Sequence, residues 1–127
     1  MSRRVLARVL LTGVVALVGA ACDSTTSQTS FDLAEFSITG PGSLAPDTEL
    51  ITVDNAGEFP HTLVITDASG SVVAATDLIQ AGETSELAVE LSEGVYSFTC
   101  RIVIEGDDGQ LIDHFEAGMH MSVNVVG

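Results

Sequence analysis

The sequence contains no lysine and no tryptophan, and its only cations are Arg3, Arg4, Arg8 and Arg101. Against them stand 18 Asp and Glu, a formal net charge of −14 over 127 residues. A chain so poor in positive charge cannot neutralise phosphates, which excludes nucleic acid as a partner. With only two cysteines, Cys22 and Cys100, a disulfide-stapled miniature scaffold is excluded too. No CxxC or HxxxH spacing suggests a structural zinc site or a redox-active cysteine pair. A Gly-rich phosphate loop and a Ser/His/Asp arrangement are also missing, and three histidines are too few for a second, catalytic metal centre. No enzyme is expected. Aromatics are scarce, one Tyr and five Phe, yet 46% hydrophobic residues are too many for a disordered acidic tail. The length suits one domain.

The amino terminus reads as an address. Three of the four arginines precede an uncharged run of 13 residues, 9–21, which as a helix would rise only about 20 Å against a bilayer core of about 30 Å. Residues 1–21 are therefore expected to be a signal peptide. The small residues of Gly19-Ala20-Ala21-Cys22 resemble the lipobox of bacterial lipoproteins, with Gly19 where that family usually carries Leu. The resemblance implies that Cys22 is lipidated and that the protein is exported. Its place would be the outer face of the cytoplasmic membrane or the periplasm and cell envelope, held by a lipid anchor. An ordinary signal peptide with an unmodified cysteine is the alternative. Cleavage would leave Arg101 alone against all 18 acids, formally −17. Residues 22–30, with six Ser/Thr in the eight of DSTTSQTS, have nothing to bury and read as a tether of at most about 25–30 Å. The folded domain is expected over residues 31–127.

That domain reads as strands. Residues 50–53, 62–66, 71–74, 86–91 and 95–100 are short and rich in β-branched or aromatic side chains. Leu87, Val89 and Leu91 alternate with Glu86, Ala88 and Glu90, and Gly, Pro, Asn and Asp punctuate the intervals. No helix longer than a turn or two is expected, its best site being residues 76–80. About seven to eight strands at this spacing predict an all-β, Greek-key β-sandwich. Tyr96 is either a corner tyrosine or a core aromatic.

The chemistry gathers in two places: the turn Asn55-Ala56-Gly57-Glu58-Phe59-Pro60-His61, and the stretch from Cys100 through His114 to Met119. Two His, one Cys and one Met are the blue-copper inventory, two imidazoles and a thiolate in a plane with a weak axial thioether. At these residues the chain resembles plastocyanin-type cupredoxins. Phe59-Pro60-His61 is similar to their first ligand loop, Gly94-Val95-Tyr96-Ser97-Phe98-Thr99-Cys100 to their G-x-Y-x-F-x-C strand, and His114-Phe115-Glu116-Ala117-Gly118-Met119 to their H-x4-M loop. The resemblance covers roughly residues 53–126. It implies one copper ion, with His61, Cys100 and His114 as equatorial ligands and Met119 as the axial one. It also implies that electrons leave through an exposed edge of His114. Thr62 stands where family members often carry Asn, and 13 residues separate Cys100 from His114 where plastocyanin-like members have only a few.

Those 13 residues read as an inserted β-hairpin around Gly106-Asp107-Asp108-Gly109. Pairing Glu105 with Gln110 sets Ile104 opposite Leu111 and Arg101 opposite His114, returning His114 to the side of Cys100. Period-two alternation puts Met119, Met121, Val123 and Val125 on the core side and His120 outward. His120 stays open as an alternative ligand that would make the site more tolerant of zinc. Arg101 is read as a surface arginine paired with one of the many carboxylates, Asp113 or Glu105 among them. Three functions remain open: an electron carrier, a copper storage or delivery protein using the same ligands, and a metal-free binding module on this scaffold. As a carrier it would act as a monomer, its charge steering it to a basic redox partner.

Overall fold

The computed structural model describes residues 27–127; the signal peptide expected over residues 1–21, the lipidation expected at Cys22 and the first part of the expected tether lie outside them. The described chain forms eleven strands and no helix, so none is long and apolar enough to cross a membrane among these residues. Strands β1 (Ser27–Ala34), β2 (Ser37–Thr39), β4 (Asp47–Asn55) and β7 (Thr84–Leu91) make one sheet in the order β2-β1-β4-β7. The facing sheet runs β3-β11-β8-β5-β6, with β3 (Ser43–Leu44), β5 (Val64–Thr66), β6 (Val72–Ala75), β8 (Gly94–Thr99) and β11 (His120–Val125). Strands β9 (Val103–Glu105) and β10 (Leu111–Asp113) pair only with each other. The all-β sandwich is as expected. The count exceeds seven to eight because two- and three-residue strands leave too little alternation to read.

Period two does the sorting. Phe31 and Leu33 of β1, Ile51 and Val53 of β4, and Phe98 of β8 are fully buried, while their strand neighbours, buried Thr99 excepted, point to solvent or the margins. The rings of Phe31 and Phe98 meet across the sandwich with centroids 4.9 Å apart. Each such side chain withdrawn from water contributes about 1.5–3 kcal/mol. Tyr96 fills both roles considered for it: its ring is buried, and its hydroxyl donates to the carbonyl of Ser92 at 2.9 Å.

Three local expectations are corrected. Ser27–Ser30, assigned to the tether, form the first half of β1, paired in parallel with residues 49–52 of β4. Ladder bonds come from the backbone, so polar side chains on an open edge do not prevent a strand. Residues 76–80 are extended rather than helical, because the Thr76 amide donates to Leu63 O and Ile79 exchanges both backbone bonds with His61. The inserted hairpin exists with its register one residue off: Glu105 faces Leu111, Ile104 faces Ile112 and Val103 faces Asp113. Its loop is Asp107-Asp108-Gly109, closed by a bond from Gly106 N to Gln110 O at 2.8 Å. Gly109 sits at φ 78°, the left-handed residue that turns a four-residue connection into a three-residue one.

Candidate metal centre

His61 is placed by the loop that leaves β4. Asn55, buried at the strand end, donates its amide to Phe59 O at 2.8 Å and to Ile79 O at 2.9 Å, and its Oδ1 accepts from Gly57 N at 2.9 Å. One side chain thus ties both ends of the turn to the segment that pairs with His61. Cys100 follows β8 directly, its amide donating to Met119 O at 3.0 Å. The hairpin then delivers His114 by a bond from its own amide to Ile102 O at 2.9 Å. Asp113 accepts from Phe115 N at 2.9 Å and shapes the turn that follows. Met119 closes the turn, its amide donating to His114 O at 2.9 Å.

These unrelated stretches bring three donor atoms together. His61 Nδ1 and His114 Nδ1 lie 3.1 Å apart, and Cys100 Sγ lies 3.9 Å from the first and 3.7 Å from the second. All three residues are fully buried, as is Met119. The point equidistant from the three atoms is about 2.1 Å from each, a metal–imidazole bond length. Two imidazole nitrogens and a sulfur converging on one such point in a buried pocket fit a single transition-metal ion.

Without metal, the short contact between the two Nδ1 atoms needs a proton on one of them. Glu35 decides which. Its Oε1 lies 2.9 Å from His61 Nε2, and a carboxylate only accepts, so a neutral His61 carries its proton on Nε2 and accepts at Nδ1 from His114. Burial works against the Glu35 charge, but the Phe59 and Glu58 amides and the His61 imidazole outweigh it and hold its pKa at about 2. Burial pushes the His114 pKa down, and neighbouring His61 pushes it further, against the opposite pull of Glu35 and Asp113. Nε2 of His114 is buried without a hydrogen-bond partner among the described residues.

The exposed edge expected for His114 is corrected by this burial. Phe36 lies edge-on to the imidazole, ring centroids 5.3 Å apart and planes at 70°, so the β1–β2 connection roofs the site. Thr62 directs its hydroxyl toward the Cys100 sulfur at 4.0 Å. His120 is exposed on the far face of β11 and packs against Phe115 with centroids 4.9 Å apart and planes tilted by 42°, away from the three converging donors. Arg101 pairs with neither Asp113 nor Glu105 but lies 3.8 Å over the Phe115 ring. Glu35 and Phe36 were not foreseen, since one carboxylate among 18 carries no mark in sequence.

No family model matches the sequence, and no curated protein matches it. Solved structures do match. Auracyanin from the photosynthetic bacterium Roseiflexus castenholzii superposes with a TM-score of 0.59 at 17% identity, over 82% of this chain and 98% of that one. Auracyanin A, a "blue" copper protein from Chloroflexus aurantiacus, gives 0.61 at 14% identity, over 80% and 99%. Rusticyanin from Thiobacillus ferrooxidans gives 0.62 at 18% identity, over 81% and 79%. The chain has the cupredoxin fold.

Proposed function

We propose that this protein is a one-electron carrier in which His61, Cys100, His114 and Met119 would hold a type 1 copper ion. The observation that carries the reading is the buried triangle of Nδ1, Nδ1 and Sγ atoms, with sides of 3.1, 3.7 and 3.9 Å. The similarity to auracyanin and rusticyanin supports it. A copper ion bound there supplies single-electron chemistry between its two accessible oxidation states.

The chain's own part is to keep the ligands still. His61 is locked by paired backbone bonds to Ile79, Cys100 by its bond to Met119, and His114 by its bond to Ile102. None of these contacts needs the metal. With the three donors buried and the site roofed by Phe36, a resident ion is favoured over one passed on for storage or delivery. A lipid anchor at Cys22, an extracytoplasmic location, a monomeric state and a basic redox partner for a domain of formal charge −17 complete the proposal.

Adding Cu(II) to the purified protein tests it. An intense visible thiolate-to-copper band and a type 1 EPR signal are expected, both lost in Cys100→Ser. A protein that stays colourless and shows only the EPR signal of unbound Cu(II) would leave the metal-free scaffold as the answer.

A further inference from the structure

We propose that Glu35 is a positioning residue for the metal site: its carboxylate holds His61 with Nδ1 facing Cys100 and His114, and its charge biases a bound copper ion toward the higher oxidation state. The second half rests on the copper reading; the first does not.

Glu35 belongs to the two-residue connection between β1 and β2, 26 residues before His61. Its Oε1 accepts from Phe59 N at 2.8 Å and Glu58 N at 2.9 Å, its Oε2 accepts from Glu58 N at 3.0 Å, and Oε1 also meets His61 Nε2 at 2.9 Å. Two amides of the ligand loop therefore hold the carboxylate that holds the ligand. Space is made for it by Gly57, where a Cβ would stand 2.3 Å from Glu35 Oε1. Glu35 is a clasp on the loop, not a surface acid that happens to lie near a histidine.

Two consequences follow. An acceptor on Nε2 keeps the proton there, leaving the Nδ1 lone pair bare toward the sulfur and the second imidazole. A carboxylate behind a ligating imidazole also raises its basicity and adds negative charge beside the ion, and both stabilise the more positive oxidation state. No bond is made or broken: the electron passes to or from an external acceptor, and the proton stays on His61 Nε2.

The test compares wild type with Glu35→Gln, which keeps an oxygen acceptor but removes the charge, and Glu35→Ala, which removes both. Long-range ¹⁵N NMR of metal-free protein should show His61 of the wild type as a single Nε2–H tautomer, with the alanine variant losing that preference. Redox titration of the copper-loaded proteins against ferricyanide should show Glu35→Gln shifting the Cu(II)/Cu(I) balance about tenfold toward Cu(I), an upward shift of about 59 mV for one electron. A midpoint unchanged within twofold, or a wild-type His61 protonated on Nδ1, overturns the proposal. Absence of the blue band in all three proteins overturns the copper reading and with it the redox bias, while the tautomer still decides the clasp.

Discussion

The imidazole of His114 lies beneath the edge of Phe36, the centroids 5.3 Å apart, and nothing of the histidine reaches solvent. Truncating the roof should open the site. In Phe36→Ala, removal of copper by a water-soluble chelator should accelerate at least tenfold, while the visible spectrum keeps its band. An unchanged rate, followed by stopped-flow absorbance, would show that the metal exchanges by another route.

Acid should weaken the metal-free fold in two stages with the same sign. His114 has its pKa pushed below 6.5, so the unfolded chain takes up that proton first, and stability begins to fall as pH drops through 6.5. Glu35 is lowered from 4.5 to about 2, so its contribution is complete above 4.5 and is lost as pH falls toward 2. Urea midpoints across this range should fall less steeply below pH 4.5 in Glu35→Gln than in wild type. Parallel curves in that region would remove Glu35 as the cause.

Asn55 makes three hydrogen bonds at the foot of the His61 loop. Replacing it with Ala removes all three bonds, leaving Ile79 O with only the His61 amide, and should cost about 2–4 kcal/mol by equilibrium unfolding. Loss of stability should be accompanied by weaker copper binding, because the same bonds set the loop. A fully stable variant would refute that role.

Gly109 takes a backbone conformation, φ 78°, that costs an L-residue about 1 kcal/mol. Gly109→Val should loosen the hairpin and broaden the amide resonances of residues 103–113 more than those of the sandwich. Uniform spectra would mean that the turn tolerates a side chain.

The sandwich was legible because alternation in residues 86–91 and 95–100 is long enough to show which face is buried. The convergence of His61, Cys100 and His114 was legible because each sits in a recognisable local pattern. Register was not: whether the hairpin loop holds three residues or four turns on the φ of Gly109, which composition does not reveal. Ser27–Ser30 were misread because strand pairing draws on the backbone, and their side chains say only that they face water. Glu35 and Phe36 were invisible for another reason. Their roles arise from contacts of the β1–β2 connection with the His61 loop and with His114, distant in the chain, and only the closed fold brings them together.

The hairpin has a consequence for how far this site can be altered. His114 is held by the bond from its amide to Ile102 O, not by the number of residues that lie between them. Sequence distance and spatial distance are uncoupled there, as in a zip whose far end does not move when teeth are added. Lengthening both arms equally, by two residues each, preserves facing and leaves the donor triangle untouched. An unequal insertion turns the arms over and pulls His114 out of place. The tip is thus a grafting point for a tag, a fluorophore or a recognition peptide, rigidly joined to a metal site it does not disturb.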